Sequence, residues 1–120
     1  MPRPPRILVA TEPVDFRKSI DGLAALVELR LREAPLSGTL FVFTNRSRDA
    51  MKLLVWDQGG FLLLYKRLEK GRFRLPVGDA SVDRLTLTYD DIIAVLAGID
   101  LRTGERLNRW SPSSPPCVSP

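Results

Sequence analysis

The chain has 120 residues, 44% of them apolar, and a net charge of +4, with one cysteine and no histidine. That length and apolar content fit one compact domain, while the missing histidines and lone Cys117 exclude a disulfide framework, a zinc cluster and histidine-based acid–base chemistry. No apolar run reaches the roughly 18 residues a membrane span needs, and the start Met-Pro-Arg-Pro-Pro-Arg lacks the apolar centre of a signal peptide, so a cytoplasmic protein without membrane contact is expected.

In chain order, Ile7-Leu8-Val9-Ala10 is short and apolar, as a buried strand is. Pro13 then turns the chain. From Asp15, the residues Phe16, Ile20, Leu23, Val27 and Leu31 recur at steps of three and four, while Arg17, Asp21, Glu28 and Arg32 fall on the other side. This spacing predicts an amphipathic helix over 15–33, ended by Pro35 and Gly38.

Thr39 to Thr44, rich in β-branched and aromatic residues, predicts a strand. Lys52 to Trp56 and Phe61 to Arg67 predict a hairpin about the four-residue turn Asp57-Gln58-Gly59-Gly60. Phe61 to Leu64 is apolar at every position, which suggests a sheet covered on both faces and makes Trp56 and Tyr65 core or core-edge residues before base-stacking ones. A short strand at Arg72 to Leu75 and an edge strand at Arg84 to Thr88 follow. Thr88-Tyr89-Asp90-Asp91 has the hydroxyl and acid of a capping box, ahead of a second helix ending near Gly98. The expected architecture is a single α+β domain over 1–103: a mainly antiparallel sheet of four to five strands, an amphipathic helix on one face and a second helix near the C-terminus. Residues 104–120, rich in serine and proline, form an expected disordered tail.

The charge is unevenly placed. Between Arg46 and Arg74, eight cations stand against three carboxylates, a net of +5 that exceeds the whole chain's +4. Arg46, Arg48, Lys52, Lys66, Arg67, Lys70, Arg72 and Arg74 are therefore candidate contacts to a polyanion, with nucleic acid the first choice; the competing explanation is that they guard an edge strand against aggregation. Arg17 and Lys18, in the first turn of the expected helix, oppose its macrodipole, and a bound phosphate would offset them; pairing of Arg17 with Asp21 would do so equally. Asp15, Asp21, Asp57, Asp79, Asp83, Asp90 and Asp91 could in principle serve metal-dependent strand chemistry, but each has a local structural explanation and no metal-ligand spacing is present. The expectation is a non-enzymatic protein with no cofactor, no catalytic residue and no metal site.

Several spaced blocks carry a resemblance: Thr11-x-Pro13-x-Asp15-x-Arg17-Lys18-Ser19-x-Asp21-Gly22-Leu23, Gly38-x-Leu40-Phe41-Val42-Phe43-x-Asn45-Arg46, Lys52-x-Leu54-x-Trp56-Asp57-x-x-Gly60, and Tyr65-Lys66-Arg67-Leu68-Glu69-x-Gly71-Arg72-Phe73. In this order, over roughly Ile7 to Ile99, the chain resembles the TnpB (Orf2-like) accessory proteins of insertion sequences of family sixty-six. It departs from their pattern at Glu12, Phe16 and Leu101, where glycine, methionine and an aromatic are usual. The resemblance implies an accessory protein of DNA transposition that works beside a transposase and a second small accessory protein. Two readings of its activity follow: binding to the DNA phosphate backbone through the basic hairpin, or docking to the transposase as an adaptor that does not itself contact DNA.

Overall fold

A computed structural model describes residues 6–75 and 84–97. The expected tail 104–120, the helix end at Gly98, and Asp79 and Asp83 lie outside these residues. The elements are β1 (Ile7–Ala10), α1 (Ile20–Leu26), β2 (Leu40–Thr44), β3 (Ala50–Asp57), β4 (Gly60–Arg67), β5 (Arg84–Leu87) and α2 (Tyr89–Leu96), with α1 continuing into a π-helical turn over Val27–Leu31. This is the expected α+β fold: a five-stranded sheet in the order β4-β3-β2-β1-β5. β1 runs parallel to β2, and the remaining pairs are antiparallel. The parallel pair is possible because α1 crosses over between its strands.

Alternation along the central strands builds two cores. Leu8, Ala10, Phe41, Phe43 and Leu54 meet Leu23, Val27 and Leu31 on the α1 face. Ile7, Val9, Leu40, Val42, Met51, Leu53 and Val55 meet Leu87, Ile92 and Val95 on the α2 face. Coverage of both faces thus holds for β1, β2 and most of β3. It does not hold for β4, an edge strand on which Leu62, Leu64 and Tyr65 are exposed; of the core or core-edge positions expected for Tyr65 it takes the edge, its ring 5.9 Å from that of Phe16. Trp56 is half-buried and meets Phe61 edge-on at 5.1 Å.

Three local expectations need correction. The first helix starts at Ile20 rather than Asp15. The carbonyls of Phe16 and Lys18, which a helix would turn toward the N–H groups of Ile20 and Gly22, instead accept hydrogen bonds from Lys52 Nζ at 2.9 and 2.8 Å. Asp15 also draws the chain into a turn, its carboxylate accepting from Arg17 N at 2.9 Å and its carbonyl from Lys18 N at 3.1 Å. At the other end, Arg32 in the left-handed region (φ 55°) caps the π-helical turn by donating its N–H to the Val27 carbonyl.

The hairpin turn is tighter than four residues. β3 and β4 pair up to Asp57 and Gly60, leaving Gln58 (φ 48°) and Gly59 (φ 87°) as a two-residue turn. Positive φ at both positions is the type I′ geometry that matches strand twist. Arg72 to Leu75 is not a strand: Phe73 and Leu75 are buried in the α2-side core, and Phe73 N donates to the Arg48 carbonyl at 2.7 Å. The capping box forms as read, with Asp91 N donating to Thr88 Oγ1 at 3.0 Å and Thr88 N to Asp91 Oδ2 at 3.1 Å.

Candidate nucleic-acid interface

The basic residues divide by what they touch. Arg6 and Arg84 both reach Glu33, at 2.7 and 3.0 Å, Arg30 pairs with Glu12, and Arg17 pairs with Asp15 at 2.6 Å. Arg84 also donates to the Leu31 carbonyl, tying β5 to the end of the first helix. These four cations pair with three carboxylates, Arg6 and Arg84 sharing that of Glu33.

A second group gathers where the β2–β3 loop meets the chain leaving β4. Asn45 organises that loop: its side chain donates to Asp49 Oδ1 at 2.7 Å and accepts from Ala50 N at 3.1 Å. Arg48 takes a left-handed conformation (φ 62°) within it. Leu68 N then donates to the Asp49 carbonyl at 2.7 Å, beside the Phe73 bond to Arg48, so residues 68–73 are laced along the loop. Leu68, Phe73 and Leu75 point inward, which turns Lys70, Arg72 and Arg74 outward. Arg46, Arg48, Arg67, Lys70, Arg72 and Arg74 thereby share one end of the sheet. Among the described residues none of the six forms an ion pair; Asp49 and Glu69 lie within this end, and Asp15 borders it across a groove it shares with Arg46.

The other candidate residues differ from this group in what they touch. Lys52 is 6% exposed, its ammonium holding the two carbonyls of the 16–18 turn and lying 4.9 Å from the Phe16 ring centre and 5.6 Å from that of Tyr65. It cannot meet a phosphate, because burial on β3 leaves its charge facing backbone oxygen and aromatic faces. Lys66 donates to the Leu96 carbonyl at 2.6 Å, at the C-terminal end of α2. Arg17, 92% exposed on its side chain, is neutralised by Asp15 and not by Asp21. The bidentate guanidinium and the Arg17 N–H hold the Asp15 carboxyl at about 2. With α1 starting at Ile20, neither Arg17 nor Lys18 sits in a helical first turn, so the anion site expected there has no helix end to supply it. Lys18 instead borders a groove of about 160 Å³ whose charged walls are Glu12, Asp15 and Arg30.

Sequence reasoning missed the role of Lys52. A lone charged residue inside an otherwise apolar stretch, Ala50 to Trp56, was the available signal. No group of residues able to hold a metal ion occurs among the described residues, and no described helix is long and apolar enough to cross a membrane.

The fold and its basic end define a small α+β protein with an exposed cationic surface. The family model described as IS66 Orf2 like protein matches residues 5–106, and the chain belongs to that family. It is 40% identical over 96 residues to the uncharacterized protein y4jC of Sinorhizobium fredii (strain NBRC 101917 / NGR234), covering 79% of this chain and 80% of that one. It is 33% identical over 108 residues to the uncharacterized protein y4hO of the same organism, covering 90% of each. No solved structure matches. Membership carries an accessory role in an insertion sequence, beside its transposase machinery, and the family is not a known catalytic one.

Proposed function

We propose that this protein is a non-enzymatic transposition factor that binds the phosphate backbone of DNA through the end of the sheet formed by Arg46, Arg48, Arg67, Lys70, Arg72 and Arg74. The observation that carries the reading is the clustering of unpaired cations: Arg6, Arg17, Arg30 and Arg84 are matched with carboxylates and the unpaired Lys18 and Arg32 lie at opposite ends of the first helix, whereas these six, likewise without an ionic partner among the described residues, gather at one end of the sheet. An unpaired cluster retains its full attraction for a polyanion, while a paired one has spent it locally. Arginine predominates in the cluster, and its planar fork suits phosphate oxygens. Contacts of this type position a protein on the duplex without reading sequence.

The test is fluorescence polarisation with a duplex of arbitrary sequence across a salt series. Six phosphate contacts give a slope of log K against log salt of about −5, and the pair of substitutions Arg72→Ala and Arg74→Ala lowers its magnitude by about 2. Binding that ignores salt, or no binding at low salt, defeats the proposal.

The adaptor reading draws on the turn at 12–18, which adjoins the basic end at Arg46 and where the paired charges of Glu12 with Arg30 and Asp15 with Arg17 stand beside a groove lined also by Pro13 and Val14. Paired charges around apolar side chains resemble the rim of a protein contact more than a phosphate site. Co-purification with transposase that survives nuclease treatment, and is lost on Asp15→Ala, would favour it.

A further inference from the structure

We infer that two copies of this protein associate through the free edge of β4, joining their sheets into one continuous antiparallel sheet. The inference is independent of whether the basic end binds DNA. A two-residue turn closes on a hydrogen-bonded pair, so Gly60, Leu62, Leu64 and Lys66 exchange backbone bonds with Asp57, Val55, Leu53 and Met51. The N–H and C=O groups of Phe61, Leu63 and Tyr65 then point away from β3, where among the described residues no further strand lies.

This edge is eight residues long, straight in register, and apolar on both sides. Leu62 is 40%, Leu64 49% and Tyr65 56% exposed, and cations guard only its last two positions. Edges usually carry a bulge, a proline or a central charge against self-pairing, and Phe61 to Tyr65 has none of these. The opposite edge, β5, is half as long and more covered.

The pattern of β4 selects a second copy as the occupant. Apolar residues fill its first part and Lys66 and Arg67 its end, so parallel self-pairing would stack like charges. Antiparallel pairing about a two-fold axis at Leu63 sets Leu63 against Leu63, Leu62 against Leu64 and Phe61 against Tyr65, with every outward N–H matched to a carbonyl. In that register Lys66 faces Gly60 of the second copy. Glycine has no side chain there, and Asp57 lies next across it on the same face, so the ammonium meets a carboxylate that has no ionic partner among the described residues. Lys66 would exchange its bond to the Leu96 carbonyl for this contact. A register shifted by one residue to centre on Leu64 sets Arg67 on Phe61 and Lys66 on Leu62, which loses both the apolar matches and the charge match.

The test is sedimentation equilibrium of the full chain, cleared of nucleic acid, from about 10 to about 300 µM, which spans dissociation constants in the micromolar range. The wild type shows a reversible rise to twice the chain mass. The double variant Leu62→Lys with Leu64→Lys puts two like-charge pairs across the axis and weakens association by about tenfold or more. The variant Leu62→Lys with Leu64→Glu restores opposite charges in the Leu63 register, and it dimerises while melting as the wild type does. A wild type that stays monomeric throughout overturns the inference. So does a double-lysine variant that associates as well as the wild type, or a folded charge-matched variant that does not associate.

Discussion

Lys52 is the residue whose removal tests the structural reasoning most directly. Replacing it by methionine keeps the stem and its packing on Phe16 and Tyr65 but removes the ammonium, and with it two hydrogen bonds of 2.9 and 2.8 Å and two contacts to aromatic faces. Phe16 is half-buried and Lys18 exposed, so water can partly serve the abandoned carbonyls; about 1 kcal/mol for each is the lower end of the usual cost. The cation–aromatic contacts add about 1 kcal/mol. Relief from burying a charge offsets part of this, leaving a net loss of about 2 kcal/mol, the usual net worth of hydrogen bonds to a charged group. In a domain of this size that lowers the melting temperature by about 8 °C, measurable by calorimetry. Amide exchange at residues 15–19 rises beyond the global change, because the turn loses its anchor to β3. The salt slope of DNA binding stays that of the wild type, since the Lys52 ammonium is buried on backbone carbonyls and is not one of the exposed, unpaired cations. A melting temperature within about 2 °C of the wild type would refute the reasoning, by showing that the turn holds its shape without the ammonium.

Asp15 provides a pH signature. Its carboxyl is lowered from 3.8 to about 2 in the folded protein, so the stability it contributes is fully present above 3.8 and is lost as the pH falls through about 2. A carbon-detected NMR titration is expected to place its midpoint near 2, and Arg17→Ala to move it back toward 3.8. At the hairpin turn, Gly59→Ala is expected to cost about 1–2 kcal/mol in urea unfolding from its left-handed φ alone, since a Cβ there would meet nothing within 4 Å. Gln58→Asn, better suited to positive φ, stabilises by about 0.5 kcal/mol. Thr88→Ala removes the side-chain half of the capping box and lowers thermal stability by about 1 kcal/mol.

What the order of residues determined by itself is whatever depends on neighbours along the chain. The strand at Ile7–Ala10, the hairpin with its turn between Asp57 and Gly60, though not the tightness of that turn, the capping box at Thr88 and Asp91 and the surplus of cations between Arg46 and Arg74 are local patterns of period, turn chemistry and charge, and all are present in the fold. Contacts between distant segments decided the rest. The start of α1 moved to Ile20 because Lys52, 34 residues beyond Lys18, claims the carbonyls that helical bonding would use. Arg72 to Leu75 has a strand-like alternation, yet Phe73 and Leu75 are buried in the core and the Phe73 N–H bonds to the Arg48 carbonyl, not to a sheet neighbour. Which cations remain unpaired was equally hidden: Arg6 and Glu33 lie 27 residues apart and meet only once β1 and the helix are assembled. Charge along a chain can be counted from its letters, but compensation acts across space, and only the fold decides which guanidinium groups are matched and which stay open to a partner.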